Sequence, residues 1–266
     1  MFIGVYKAKE EQKLEIAIVT GASSGMGKEF VKQLSALGGL GQIWVAARRE
    51  ERLKELAGEV ATPLRIFACD LTQPAGIGQI KKALSTEHPN IRYLANCSGF
   101  AKFGAFDAVN ETDSLAMIDL NVRALTQMTL AAIPYMESGG HILEIASTAA
   151  FQPLPDMNIY AATKAFVLSY SRALSRELGK RGVTVTAVCP GWTKTEFFDV
   201  ARKNADANAV QNFFFPSLPQ NVVARAIKDA QRGRDLSVYG VFNKLHLFFA
   251  KILPVSSVMT LWDAMK

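Results

Sequence analysis

The segment IYAATKAF, residues 159–166, sets a phenol, Tyr160, and an ammonium, Lys164, four positions apart in a run otherwise built from alanines and large apolar groups. On an α-helix, residues i and i+4 lie stacked on one face with Cβ atoms about 5–6 Å apart, so both side chains can reach a single site. Thirteen residues earlier, Ser147 closes the apolar run HILEIAS (141–147) and offers a hydroxyl. All three are groups that donate hydrogen bonds and exchange protons. Taken alone, such a pair is more often an interfacial tyrosine beside a lysine whose stem covers apolar surface. The elements around them must decide.

Those elements alternate. Short β-branched runs at 15–20, 42–47, 64–69, 93–97, 141–147, 183–190 and 235–239 are separated by stretches of helical period, among them 26–38, 114–136 and 159–182. This order predicts an α/β fold with a parallel sheet of about seven strands, wrapped on both faces by right-handed crossovers, with ligands at the carboxyl ends of the strands. Ser147 then stands at a reactive edge. Two segments depart from the alternation. Residues 192–220 form a polar and aromatic insertion too long for an ordinary connection, read as a lid. Residues 241–266 are helix-like, broken by Pro254, and follow the catalytic unit expected over 15–240; residues 1–14 precede it as an extension.

Directly after the first strand, TGASSGMG (20–27) opens a helix. Gly21, Gly25 and Gly27 supply a tight turn, a close backbone approach and close helix packing, and the turn also carries Ser23, Ser24 and Met26. Free N–H groups and the helix dipole make such a turn a pyrophosphate site. An acidic residue at the end of the second strand would bond a ribose 2′-hydroxyl, but WVAARREERL offers Ala47, then Arg48 and Arg49. A guanidinium there can grip a 2′-phosphate, so NADP is expected over NAD, with Arg48 as the principal contact. The competing reading is a solvated arginine at a helix start. CDLT (69–72) places Asp70 and Leu71 at the end of the third strand, where Asp70 suits an adenine amino group or, equally, an N-cap.

In their joint order and spacing, TGASSGMG, NCSG (96–99), Asn121 in DLNVRAL, Ser147, Tyr160-x-x-x-Lys164 and PGWTKT (190–195) resemble the short-chain dehydrogenase/reductase family, of NADP-preferring type, over about residues 14 to 240. The resemblance implies a Rossmann-type doubly wound sheet in a single domain. It also implies roles. Tyr160 is the general acid that protonates a carbonyl oxygen, and the base in reverse. Lys164 favours the phenolate and bonds the nicotinamide ribose, while Ser147 holds the substrate oxygen. Asn121 helps hold a water linking Lys164 to solvent. Asn96 braces the central strands, with Gly99 beside it. Pro190 and Gly191 turn the chain toward the cofactor, followed by Thr193 and by Thr195, which bonds the carboxamide. One departure stands out: the family pattern Asn-Asn-Ala-Gly reads Asn96-Cys97-Ser98-Gly99 here.

The chain's 266 residues, 49% of them apolar, can bury a substantial core. Cys69, Cys97 and Cys189 lie in or beside apolar runs without metal-ligand spacing and are read as buried thiols in a reducing, cytoplasmic setting; the start of the chain does not read as a signal peptide. No metal is expected at His88, His141 or His246. The net charge of +6 favours anionic ligands, but the cations are scattered, which reads against nucleic acid. Trp192, Phe197, Phe198, Phe213, Phe214 and Phe215 in the lid favour a bulky apolar ketone or alcohol, steroid- or lipid-like, as substrate; a 3-oxoacyl group on an acidic carrier protein, as for a 3-oxoacyl-(acyl-carrier-protein) reductase, is the runner-up. The tail is assigned first to a homo-oligomer interface, with the lid or an anionic membrane surface as alternatives. A nucleotide-sensing scaffold without catalysis and an epimerase or dehydratase of nucleotide sugars remain the competing classes.

Overall fold

The computed structural model describes residues 13–202, 209–210 and 212–266. Seven strands, β1 (Glu15–Thr20), β2 (Gln42–Ala47), β3 (Leu64–Ala68), β4 (Asn90–Asn96), β5 (His141–Ile145), β6 (Thr184–Val188) and β7 (Leu236–Ser237), form one sheet in the order β3-β2-β1-β4-β5-β6-β7. Every pairing is parallel. The central strands are apolar on both faces because both are covered. Ile16 and Ile18 of β1 point to one core layer, while Ala17 and Val19 point to the other.

Helices α1 (Gly25–Leu37), α2 (Glu50–Ala57) and α8 (Pro219–Gln231) cover one face through Phe30, Leu34, Leu53, Leu56, Val223 and Ile227. On the other, α3 (Pro74–Glu87), α5 (Leu125–Ala132) and α6 (Asn158–Gly179) contribute Ile80, Leu84, Met128, Leu174 and Leu178. From β1 the chain runs outward to β2 and β3, then returns to pair β4 on the other side of β1. The crevice between the carboxyl ends of β1 and β4 is therefore the switch point at which open α/β sheets bind ligands.

The stretch 114–136, expected as one helix, is four pieces: α4 (Glu111–Ile118), a π-helical turn (Asp119–Ala124), α5 and a 3₁₀ turn (Ile133–Tyr135). The inserted residue of a π turn widens the helix locally, and Asn121 sits in it. The lid expectation falls partly on residues 203–208 and 211, outside the described set. Its described parts are anchored: Thr193 and Ser217 form a parallel bridge, and α7 (Phe197–Arg202) lies beyond it. Trp192, Phe198 and Phe213 pack ring on ring with centroids 4.7–5.6 Å apart. The tail is two helices, α9 (Val241–Ile252) and α10 (Val255–Met265), separated at Pro254. Trp262 Nε1 donates to Pro155 O at 2.9 Å, and Lys266 pairs with Asp156 at 2.6 Å, so the end of the chain is fastened beside the start of α6.

Candidate active site

Ser147 stands two residues past β5 as the cap of a 3₁₀ turn (Thr148–Phe151), its Oγ accepting from Ala149 N at 3.1 Å. Tyr160 and Lys164 lie in the first turns of α6, and both are buried, as are Ser147 and Asn121. The Tyr160 phenol and the Ser147 hydroxyl line the same cavity, and the serine side chain is near enough to act on the phenol's ionisation. Lys164 Nζ donates to Ile145 O at 2.7 Å and lies 5.8 Å from the centre of the Tyr160 ring. Strand end and helix start thus bring phenol, hydroxyl and amine together, as the i, i+4 spacing requires.

Their electrostatics differ from the expectation. Lys164 was expected to draw the phenol toward ionisation, but Tyr160 is pushed up to about 12. Burial is the main cause; the Ser147 side chain pulls the other way, and the Cys189 thiol adds an upward push. Lys164 is itself pushed down to about 8 by burial, against the opposing pull of Cys97, Cys189 and Glu144. At both groups desolvation outweighs pairing, and the hydrogen bond of the ammonium is to a carbonyl of β5 and not to the phenol. The phenol is consequently a stored proton near neutral pH.

Asn121 uses its widened turn to reach the backbone after β4. Its Oδ1 accepts from Phe100 N at 3.0 Å, and its Nδ2 donates to Phe100 O at 2.9 Å and Thr163 Oγ1 at 3.1 Å. Gly99 makes room for this: a Cβ there would lie 2.9 Å from Asn121 Oδ1 and 3.5 Å from Lys164 Nζ. Asn96 Nδ2 donates to Thr129 Oγ1 at 3.0 Å and to both oxygens of Glu144 at 3.1 and 3.2 Å, tying β4 to β5 and α5. The Glu144 carboxyl is wholly buried, which raises it to about 7 against the pull of Thr129, Asn96 and Lys164.

The glycine-rich turn is compact enough for a phosphate to meet backbone rather than side chains. Gly21 holds φ +67°, and a Cβ on it would fall 2.8 Å from Ser98 N; one on Gly27 would collide with Gly21 O. Beside the turn, Arg49 Nε and Nη2 donate to Ser23 Oγ at 3.2 and 3.1 Å, and Nη2 also to Ser24 Oγ at 2.8 Å. Arg48, singled out from sequence, does not make these bonds; its charge is felt at Asp70. The chain leaves β2 at Ala47, and Arg49, as the residue capping α2, is the one turned back toward the serines. Asp70 does not cap a helix, since that position belongs to Gln73; its Oδ1 accepts from Thr72 N at 2.9 Å and Thr72 Oγ1 at 2.7 Å. Burial works against its ionisation, but those bonds and Arg48 hold it below its ordinary value. Leu71 turns its side chain into the core. The turn geometry and the serine and arginine donors fit a nucleotide phosphate.

A cavity of about 510 Å³ opens between this turn and the lid, lined by Met26, Ser147, Tyr160, Lys164, Pro190, Gly191, Thr193 and Thr195 on the side of the sheet. Its outer wall is Trp192, Phe197, Phe198, Phe214, Phe215, Phe242, His246 and Trp262. Phe213, expected among the lining aromatics, instead packs behind Trp192 and Phe198. Cys97 is half-buried rather than buried, and burial raises all three thiols. The tail residues Phe242, His246 and Trp262 were not foreseen, because no periodicity tells which distant segment a helix will face. His246 Nε2 lies 2.9 Å from Gln152 Oε1, and with Asn212 and Asn243 this pair gives the largely aromatic wall its polar groups. Among the described residues, no group of His, Cys, Asp and Glu is placed to hold a metal, and no helix is long and apolar enough to cross a membrane.

The "NADP-dependent 3-hydroxy acid dehydrogenase YdfG" of Shigella flexneri is 36% identical over 219 residues, which are 80% of this chain and 85% of that protein. An uncharacterized oxidoreductase of Staphylococcus epidermidis is 34% identical over 185 residues, 69% of this chain and 80% of its own length. Among solved structures, a short-chain dehydrogenase from Sphingobium yanoikuyae in complex with NADPH superposes with a TM-score of 0.75 at 28% identity, covering 93% of this chain and 96% of that one. The bulky-bulky ketone specific alcohol dehydrogenase from Comamonas testosteroni gives 0.71 at 25% identity, over 94% and 95%. The short chain dehydrogenase family model matches residues 15–206, a span that holds the glycine-rich turn, Asn121, Ser147, Tyr160 and Lys164, and the chain therefore belongs to that family of oxidoreductases.

Proposed function

We propose that this protein is an NADP(H)-dependent oxidoreductase that interconverts a bulky apolar ketone and its secondary alcohol. One observation carries the reading: a phenol, a hydroxyl and an amine, Tyr160, Ser147 and Lys164, line one cavity of about 510 Å³ whose other wall is largely aromatic. The NADPH bound in the Sphingobium structure, the NADP dependence in the name of the Shigella relative and the bulky ketones named for the Comamonas enzyme support it.

The turn from Gly21 to Gly27 would hold the pyrophosphate, Ser23, Ser24, Arg48 and Arg49 the 2′-phosphate, and Asp70 and Leu71 the adenine. Asn96 and Gly99 would shape the floor; Lys164 would bond the ribose, and Pro190, Gly191, Thr193 and Thr195 the nicotinamide side. Such a dinucleotide supplies or accepts the hydride. The chain's own residues handle the oxygen and its proton. Ser147 donates to the carbonyl oxygen, polarising it. Tyr160, protonated because of its burial, gives its proton to that oxygen as the alcohol forms. The phenolate left behind is stabilised by the Lys164 ammonium on the same helical face. In the reverse direction the same phenolate takes the alcohol proton. Asn121 holds the Phe100 backbone through its side chain and, in this reading, would help hold a water on the path to solvent.

A second reading, reduction of a 3-oxo acid derivative such as a carrier-bound thioester, draws on the 3-hydroxy acid of the Shigella relative's name and on the net charge of +6. A cytoplasmic homo-oligomer belongs to the proposal too. It is supported by Val241, Leu245, Phe248 and Ile252, which leave an exposed apolar stripe along α9; an anionic membrane surface is the alternative occupant. A panel of steroid, aryl and 3-oxo ketones, followed by NADPH absorbance, tests the substrate class. Apolar ketones should turn over, and Tyr160→Phe should lower kcat by roughly 10²–10⁴-fold with NADPH binding retained. Wild-type turnover in that variant would remove Tyr160 from the reaction, and activity confined to 3-oxo acids would select the second reading.

A further inference from the structure

One carboxylate reaches from the lid side of the cleft to two arginines at the β2–α2 corner. Glu196 Oε2 accepts from Arg49 Nη1 at 2.8 Å, and its Oε1 from Arg52 Nη1 at 2.5 Å. The remaining Arg49 donors are those already engaged with Ser23 and Ser24, so Glu196, Arg49 and the serines form one continuous set. Glu196 directly follows Thr195, whose Cγ2 would lie 3.2 Å from a Cβ on Gly25, so the segment after β6 is closed over the phosphate-binding turn. The three charged side chains are 43–46% exposed, open to water and to a competing anion.

We propose that Glu196 is a specificity-determining residue: an internal carboxylate seated on Arg49 and Arg52, with which the 2′-phosphate of the cofactor must compete. The inference rests on the NADP reading above and adds to it. A phosphate brought to Ser23, Ser24 and Arg49 meets a second anion on the same guanidinium, and like charges sharing one partner repel. Exposed ion pairs of this type are weak, whereas a dianion with three acceptor oxygens is a strong ligand for an arginine fork, so the phosphate prevails and Glu196 gives way. A cofactor with a 2′-hydroxyl brings no such anion and leaves Glu196 in place. Glu196 therefore lowers affinity for the phosphorylated form alone, which narrows a preference that Arg49 and Arg52 would otherwise make larger.

Calorimetric titration of the full-length protein with 2′,5′-ADP and with 5′-ADP tests this. Glu196→Gln should bind 2′,5′-ADP about three- to tenfold tighter than wild type at low salt, with 5′-ADP unchanged; Glu196→Ser, which removes the carboxylate differently, should behave alike. In an Arg49→Ala, Arg52→Ala background the effect of Glu196→Gln should vanish. Equal or weaker binding of 2′,5′-ADP by both Glu196 variants, with wild type still favouring it over 5′-ADP, overturns the role of Glu196 and leaves the cofactor reading standing. No discrimination between the two nucleotides in any of these proteins overturns the cofactor reading itself, and this inference with it.

Discussion

Replacing Glu144 by glutamine changes one oxygen of a wholly buried carboxyl into an amide nitrogen at almost constant volume. Burial holds this group at about 7, from an ordinary 4.5. Between those values the folded protein keeps a proton that the unfolded chain has lost. Its contribution is therefore fully present below about pH 4.5 and lost as pH rises through 7, a difference on the order of 3 kcal/mol. Glu144→Gln carries no such proton, so it should lie close to wild type at pH 5 and be the more stable protein at pH 8, by on the order of 2–3 kcal/mol. Local geometry permits the change. Asn96 Oδ1 is a buried acceptor with no partner, so a rotated Asn96 amide can accept from the new nitrogen. Urea unfolding followed by far-ultraviolet circular dichroism at half-unit pH intervals gives both curves. His141, lowered to about 4 chiefly by burial, makes both proteins lose stability as pH falls through the range between 6.5 and 4, and cancels in the difference. Parallel curves from pH 5 to 8 would show that Glu144 does not hold a proton in the folded state.

Two other changes probe the frame of the site. Gly27→Ala drives a methyl into the backbone oxygen of Gly21, which has no side chain to move aside, so thermal melts should show a loss of about 1–3 kcal/mol and little stabilisation by added NADPH. Trp262→Ala removes the indole that caps one end of the cavity and its bond to Pro155 O. It should cost about 3 kcal/mol and raise KM for bulky ketones while leaving kcat for small ones near wild type; unchanged KM values would place the tail outside substrate binding.

The sheet and the meeting of Ser147, Tyr160 and Lys164 were legible because each rests on a short-range pattern. Alternating strand and helix periods fixed the parallel order, and Tyr160 and Lys164 share a face by helical geometry alone. What escaped depended on contacts between distant segments. Trp262 reaches Pro155 across more than a hundred positions, and Glu196 reaches Arg49 and Arg52 from the far side of the cleft. Which of two adjacent arginines faces the glycine-rich turn is set by the backbone angles of the β2–α2 corner, φ −92° and ψ 87° at Arg49, and residue type does not encode these. The direction of the shift at Tyr160 was missed for a related reason. Charge proximity can be read from spacing, whereas the depth of burial that outweighed it arises only when lid, tail and sheet close together.

The family match stops at residue 206, yet the cavity does not. Its outer wall continues through Phe214, Phe242, His246 and Trp262. The cavity is thus closed by polypeptide from both sides of that boundary, Trp192, Phe197 and Phe198 before it and the last two helices after it. Exchanging the last two helices between relatives should retune which molecule is accepted while the reacting groups stay where they are.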